Sequence, residues 1–248
     1  MNLKKKIALF IITLSGTACM NAQTMQWKEI DKNTMSEHLH KISKYMQSLS
    51  QYQATITDAS YPDYTTELFH EKNTGYIKRA GQKFHNYLLG IHTIQNGTCR
   101  LVIDTAKKVL VVADPLESIN DVLSDTVYNY FMKVCSKIRI AHTGNQTYYR
   151  LEFKDPYPLS FYTMTIKDSL VEKIVMYYRN EVKVNNRSGK PRLEMTFDKW
   201  KTSIDDTQKA FDINNYVFRK GREYCLTASY KGKYKLLDER VKTRNLKE

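Results

Sequence analysis

Histidines are the residues of this 248-residue chain best suited to binding a metal or transferring a proton. His38 and His40 lie two residues apart on a predicted helix, so they point in different directions and make a poor metal pair. His85 shares a predicted strand face with Tyr87, a pair that packs more often than it does acid–base chemistry. The other histidines are scattered at His70, His92 and His142. The spacing therefore predicts no metal site and no cofactor.

Three cysteines follow the first two dozen residues, at Cys99, Cys135 and Cys225. An odd number permits at most one disulfide and leaves one thiol free. No pair has the spacing of metal ligands. The favoured interpretation is that they are small apolar core residues, and one disulfide is the alternative.

The chain carries none of the short motifs that mark common catalytic sites. It lacks the G-x-S-x-G, H-E-x-x-H, P-loop and dinucleotide-binding patterns. A triad built from distant residues has no sequence signature and stays open. The sequence predicts a binding protein rather than an enzyme.

The first 22 residues are predicted to be a signal peptide. Basic residues at Lys4–Lys6 precede a short apolar run, Ile7–Leu14, and small residues allow cleavage after Ala18 or Ala22. The alternatives are a retained N-terminal anchor and lipidation at Cys19. No later segment has the ~20 apolar residues that cross a bilayer. We expect the protein to be exported to the periplasm, either free or tethered to the membrane through Cys19.

The formal net charge is +13, and removal of the predicted signal peptide leaves about +10. A basic exported protein suits anionic membrane surfaces or an acidic envelope protein. Nucleic acid is excluded as a partner because the protein leaves the cytoplasm.

Two stretches have the apolar period of a helix. Thr34-Met35-Ser36-Glu37 has the pattern of a capping box. The stripe that follows it is Met35, Leu39, Ile42, Met46 and Leu49. A second stripe, in the middle of the chain, is Ile119, Val122, Leu123, Val127, Tyr130, Phe131 and Val134.

Most of the remaining chain has the alternation of strands. The first half predicts strands at Gln53–Ala59, Thr65–His70, Gly75–Arg79, Phe84–Ile91, Arg100–Asp104 and Val109–Ala113. The second half predicts strands at Ile138–His142, Tyr148–Lys154, Ser160–Lys167, Val171–Glu181 and Arg192–Trp200, with a polar loop at Asn185–Lys190. One or two more strands are expected between Tyr216 and Leu237. Residues 23–237 are predicted to form one domain, followed by a basic tail at 238–248.

The order of these elements resembles the LolA/LolB-like family of periplasmic lipoprotein carriers. Gly75–Phe84 is similar to the family's G-x-hydrophobic-K-R-P-G-x-x-F/L-R motif, and Leu101–Pro115 to its D-G…Y-D-P motif. Thr196–Trp200 is similar to the family's I-x-F-x-x-W motif. Ala80 and Thr105 replace the proline and the glycine of these patterns.

The resemblance implies an α+β fold, a curved antiparallel incomplete β-barrel (half-barrel) with an N-terminal helix and a central lid helix. It implies a non-catalytic carrier that binds a lipid, an acyl chain or a lipoprotein. Arg79 aligns with an arginine that latches the lid, although a surface arginine at a strand end is equally expected. The alternative for the whole chain is a structural component of an envelope or secretion assembly, with its cavity filled by its own side chains.

Aromatic, methionine and aliphatic side chains recur at alternating positions of the predicted strands. On the concave face of a half-barrel they would suit acyl chains of varied shape. The alternative is an ordinary core beneath the two helices. The predicted ligand-binding residues are Tyr87, Leu89, Ile91, Tyr162, Met164, Ile166, Met176, Tyr178, Leu193, Met195 and Phe197.

Overall fold

The structure, a computed structural model, describes residues 25–116, 125–184 and 187–240. The helices are α1 (Lys32–Ser48), α2 (Asp125–Val134) and α3 (Thr207–Ala210). The strands are β1 (Lys28–Ile30), β2 (Gln51–Tyr61), β3 (Glu71–Ala80), β4 (Lys83–Leu88), β5 (Ile91–Gln95), β6 (Arg100–Asp104), β7 (Val109–Ala113), β8 (Cys135–Thr143), β9 (Gln146–Phe153), β10 (Leu159–Lys167), β11 (Leu170–Tyr178), β12 (Val182–Val184), β13 (Arg187–Gly189), β14 (Arg192–Lys201), β15 (Val217–Lys220), β16 (Glu223–Leu226) and β17 (Lys235–Asp238). The predicted signal peptide with Cys19, the start of the second stripe (Ile119, Val122, Leu123) and residues 241–248 lie outside the described residues.

Thirteen strands form one curved, open sheet, in the order β1-β8-β9-β10-β11-β14-β2-β3-β4-β5-β6-β7-β17. Neighbouring strands are antiparallel, except that β17 runs parallel to β7. The strands β1 and β17 form the two edges, so the sheet does not close into a barrel. The predicted α+β incomplete barrel is confirmed.

Helix α1 begins earlier than the capping-box pattern predicts. The Asp31 carboxylate caps it by accepting a hydrogen bond from the Thr34 backbone N–H at 2.7 Å. Thr34 therefore lies inside the first turn, and its predicted capping role is wrong. The predicted stripe is confirmed, because Met35, Leu39, Ile42 and Met46 are the buried residues of α1.

The predicted strand Thr65–His70 is wrong, because this segment is a loop. Asp63 Oδ1 accepts hydrogen bonds from the Thr65 and Thr66 backbone N–H groups at 2.8 and 2.7 Å. The guanidinium of buried Arg192 donates to the Asp63 and Thr66 carbonyls, each at 2.9 Å. These side chains satisfy backbone groups that a strand partner would otherwise take.

Two other segments differ from their predicted form. The predicted strand Phe84–Ile91 is two strands, because Leu89 (φ 52°) and Gly90 (φ 76°) form a tight turn between β4 and β5. The predicted polar loop Asn185–Lys190 contains β13, which pairs with β12.

The sheet is covered on opposite faces towards its two ends. Met35 and Met46 of α1 and Phe131 of α2 pack on the face that carries Ile77, which we call the inner face. The outer face carries a second core on β5–β7, where Leu101 and neighbouring residues pack against the chain from Ile213 to Leu236. The cross-strand register puts the two cores on opposite faces. Ile77 and Asn86 form a cross-strand pair on the inner face. Their chain neighbours Tyr76 and Tyr87 form the next pair, which points to the outer face.

The cysteines at positions 99, 135 and 225 are all unpaired. Cys99 is buried in the outer core, Cys135 is buried in the inner core, and Cys225 is half-buried. The interpretation of Cys99 and Cys135 as small core residues agrees with these positions.

We expect Gly75→Ala to destabilise the protein by about 3 kcal/mol, the upper end of the cost of overpacking. An added Cβ at Gly75 would lie 1.9 Å from the Tyr87 carbonyl oxygen, which is backbone of the neighbouring strand and cannot rotate away. Urea unfolding would measure the loss. Thr74→Ala, an exposed change on the same strand, is the control and should stay within about 0.5 kcal/mol. Equal stability of the two variants would contradict the close approach of β3 and β4.

Candidate functional site

A band of half-buried apolar side chains lies on the inner face of β11 and β14. We call Met176, Tyr178, Leu193 and Met195 the inner band. Met176 pairs directly with Leu193, and Met176, Tyr178 and Met195 pack at the margin of the inner core. All four remain partly accessible, so the band combines apolar contact area with access from outside.

The predicted ligand residues of β10, and Phe197 of β14, are core residues. Tyr162, Met164, Ile166 and Phe197 are buried in the inner cluster with α1. Phe131 of α2 packs on Tyr162, with 5.4 Å between ring centroids. The structure therefore brings all eight predicted residues of β10, β11 and β14 to one face, four as core and four as the inner band.

The remaining three predicted ligand residues, Tyr87, Leu89 and Ile91, do not share a strand face. Tyr87 points to the outer face, Leu89 is 55% exposed in the turn, and Ile91 lies on the inner face at 42% exposure. The separation follows from the Leu89-Gly90 turn, because Tyr87 pairs with His92 and Leu88 pairs with Ile91. Leu88 packs against the inner cluster, so Leu88 and Ile91 extend apolar surface beyond the inner band.

A buried carboxyl group lies between these apolar residues. Asp58 of β2 is 8% exposed and sits in the cross-strand row between Met195 and Asn73. Burial raises the pKa of Asp58, and the nearby Glu71 carboxylate raises it further. Sequence reasoning missed Asp58, although its alternation with Tyr52, Ala54 and Ile56 was visible.

Gln95 holds the start of the connection that leads from β7 towards α2. Its side-chain carbonyl accepts a hydrogen bond from the Leu116 backbone N–H at 2.9 Å. Its amide donates to the Leu116 and Gln82 carbonyls at 3.3 and 2.9 Å. Gln95 is buried on the inner face, so these bonds are shielded from water. No sequence motif indicated this clamp.

The predicted latch residue, Arg79, lies in the same cross-strand row as Gln95, with Phe84 between them. Its Nε donates to the Gly81 carbonyl at 3.1 Å, a contact within the turn between β3 and β4. A latching role for Arg79 stays a prediction.

A cleft of about 440 Å³ opens beside α1 at the ends of β8–β11. Ile42, Tyr149 and Ile166 supply its apolar or aromatic part. Its other lining residues are polar or charged: His38, Lys41, His142, Asn145, Thr147, Asp168 and Ser169. Its volume falls in the range of small-molecule sites, roughly 300–1,000 Å³.

A polar aromatic cluster lies on the outer face of β3–β5. His85 Nε2 is 3.0 Å from Tyr76 Oη and 3.2 Å from His92 Nδ1, and the His92 ring stacks on Tyr87. His85 Nδ1 donates to the Ala210 carbonyl at 2.9 Å. Burial lowers the pKa of His85 to about 4 and also lowers the pKa of His92, while burial raises the pKa of Tyr76 to about 12. Sequence reasoning paired His85 with Tyr87 and missed His92, because it did not recognise the turn that brings β5 alongside.

Within the described residues, no group of three or more His, Cys, Asp or Glu side chains is arranged to hold a metal ion. Across residues 25–116, 125–184 and 187–240, no helix combines the length and apolar content of a membrane span.

No protein-family model and no curated protein matches the sequence. Among solved structures, the chain is similar to a conserved protein from Thermus thermophilus (9% identity, TM-score 0.42, covering 83% of this chain and 99% of that one). It is also similar to a LolA superfamily protein from Nitrosomonas europaea (9% identity, TM-score 0.30, covering 71% and 97%). A third is an outer membrane lipoprotein-sorting protein domain from Vibrio parahaemolyticus (8% identity, TM-score 0.32, covering 72% and 96%).

We predict that stability falls as the pH drops from 6.5 towards about 4 because of His85. The unfolded chain binds a proton on this imidazole near pH 6.5, whereas the folded chain resists it until about pH 4. The contribution is therefore complete above pH 6.5 and amounts to about 3 kcal/mol at most.

Urea unfolding between pH 7.5 and about 5, with a chelator present, measures this pH dependence of stability. The range avoids most carboxyl titration. His85→Asn keeps an amide donor for Ala210 and should flatten the pH dependence, leaving the contribution of His92. His142→Asn, at an exposed position, should behave like the wild type. An unchanged pH dependence in His85→Asn would refute the assignment.

Proposed function

We propose that this protein is a non-catalytic cell-envelope protein that binds a hydrophobic or lipidated ligand on the inner face of its open sheet. The observation that supports this most is the inner band, a row of apolar side chains left partly accessible beside a well-filled core. A basic chain that is predicted to be exported and carries no catalytic motif suits an amphiphilic ligand near an anionic membrane surface. The expected partners are a lipid, an acyl chain or a lipoprotein.

The chemistry of the inner band suits an acyl chain. Met176 and Met195 are flexible and polarisable, so they adapt to chains of different shape. Covering one such side chain contributes about 1.5–3 kcal/mol when it leaves water completely. Because Met176, Leu193 and Met195 are already half-buried, each contributes only part of that amount. Several neighbouring contacts are therefore needed, and Leu88 and Ile91 extend the apolar surface beyond β3.

Access to the inner face is proposed to depend on the connection that Gln95 holds. The clamp fixes Leu116, from which the chain continues towards α2. Helix α2 packs on the inner core through Phe131, Met132 and Val134. A movement of α2 away from these contacts would uncover the inner face beneath it. Arg79, in the same row of the sheet, is proposed to support that connection as a latch.

A structural role in an envelope or secretion assembly is the second candidate. Its supporting observation is that Tyr162, Met164, Ile166 and Phe197 fill part of the interior with the protein's own side chains. In that case a stable protein partner would purify with the chain, and no lipid would. The predicted export, and tethering through Cys19 as its alternative form, are compatible with both functions.

We expect Met195→Gln to weaken binding of a dansyl-labelled fatty acid by about tenfold, corresponding to about 1.4 kcal/mol. The substitution nearly keeps side-chain volume but replaces the apolar end by an amide that must lose water. Thr196→Gln is the matched control, because the neighbouring residue on β14 points to the outer face. Fluorescence titration measures both affinities, and Thr196→Gln should remain within about twofold of wild type.

Native mass spectrometry of the protein released from cell envelopes provides an independent test. Bound lipid or acylated peptide that disappears in Met195→Gln supports the proposal. Absence of any bound lipid, together with no binding of the labelled fatty acid, would refute it.

A further inference from the structure

The outer-face cluster brings two imidazole ring nitrogens close together. His85 of β4 and His92 of β5 present Nε2 and Nδ1 to each other at 3.2 Å. Tyr76 of β3 adds its hydroxyl oxygen, 3.0 Å from His85 Nε2. Three adjacent strands thus direct two nitrogens and one oxygen towards one place. This place lies on the face opposite to the inner band, so it is independent of the proposed ligand site.

The protonation of His85 follows from its other hydrogen bond. A carbonyl oxygen can only accept, so the bond from Nδ1 to the Ala210 oxygen requires the proton on Nδ1. His85 Nε2 then carries a lone pair, and Tyr76 Oη and His92 Nδ1 both lie within hydrogen-bond distance of it. Histidines that bind metals commonly donate their second ring N–H to a backbone carbonyl, which fixes the ring in this way. The His92 ring is held by stacking on Tyr87, with 4.4 Å between centroids.

The separation of the two nitrogens matches one edge of a metal coordination sphere. Metal–nitrogen bonds of about 2.0–2.1 Å at a tetrahedral angle place two ligand nitrogens ~3.3 Å apart. The observed 3.2 Å is close to that separation. We propose that His85 Nε2 and His92 Nδ1 bind a late first-row transition-metal ion, Cu²⁺ or Zn²⁺, with Tyr76 beside it. Imidazole nitrogen is a ligand that both ions favour.

Binding requires a shift of one proton and no redox change. His92 must take the neutral tautomer with its proton on Nε2, so that the Nδ1 lone pair can reach the ion. Tyr76 Oη lies 3.0 Å from His85 Nε2, close enough for its hydroxyl to donate a hydrogen bond to a water on the metal. His92 is half-exposed, which gives the ion and its waters a path from solvent.

One nearby charge opposes the ion. Lys78 pairs directly with His85 across β3 and β4, and its Nζ lies 5.2 Å from the centre of the Tyr76 ring. An ammonium at this distance repels a divalent cation and lowers the affinity. We therefore expect substitution of His92 to weaken metal binding and substitution of Lys78 to strengthen it.

Metal binding would also stabilise the C-terminal part of the fold. His85 joins the cluster to Ala210, next to Phe211, which is buried against the outer face. An ion that fixes the His85 ring strengthens this attachment and binds only the folded state. The expected signature is a rise in melting temperature with Cu²⁺ or Zn²⁺ that disappears when a chelator is added.

Calorimetric titration of the mature full chain with Cu²⁺, followed by electron paramagnetic resonance, tests the site. Wild type should bind one ion with two-nitrogen coupling. His92→Phe keeps a ring on Tyr87 and should weaken binding at least tenfold, since even loss of an outer-shell partner costs about 10–100-fold. His92→Gln provides a second variant if His92→Phe folds poorly. Lys78→Gln should strengthen binding.

His142→Ala is the matched control, because it removes an exposed histidine far from the cluster in sequence. Unchanged affinity in His142→Ala together with the loss in both His92 variants supports the site. Affinity lost in His142→Ala instead, or equal in wild type and both His92 variants, means an adventitious ion only and overturns the proposal. Neither result depends on fatty-acid binding, so this proposal and the proposed function can fail separately.

Discussion

The alternation of side chains along β3 is the constraint on which the two cores depend. Ile77 faces the helices, whereas Tyr76 faces the outer cluster, so two adjacent residues serve opposite faces of the sheet. A shift of one residue in strand pairing would exchange these faces. Gly75 helps to hold the register, because only a residue without a Cβ lets the Tyr87 carbonyl approach so closely. The covering helices and the C-terminal segment can pack only while this register is kept.

The same constraint separates binding surfaces by face. The inner face has a core under α1 and α2, and the partly accessible inner band borders it. Asp58 and Gln95 are buried polar groups of this face. The free-energy cost of burying them must be offset by hydrogen bonds or, for Asp58, by protonation. Gln95 achieves this through the backbone of Leu116. The outer face instead carries the imidazole pair, so a lipid and a metal ion would bind without competing.

Much of the fold followed from local pattern, and the errors have local physical causes. The α1 stripe and most strands were predictable because a buried face imposes periods of 3.6 and 2. The segment Thr65–His70 has strand-like composition, but Arg192, distant in sequence, takes its neighbouring carbonyls. The turn at Leu89-Gly90 was missed because leucine rarely adopts a positive φ. Because of this turn, Tyr87 and Ile91 lie on opposite faces of the sheet rather than on one strand face.

The sequence by itself determined the covered face of α1, the order of strands and helices, and the alternation that puts Leu193 and Met195 on one face of β14. These properties depend on residues close together in the chain. Only the tertiary structure decided which of the predicted ligand residues are core, such as Met164, and which stay accessible. It alone brought His85 to Ala210 and Gln95 to Leu116. Burial and side-chain hydrogen bonds depend on segments that meet across the sheet, and no local pattern specifies those meetings.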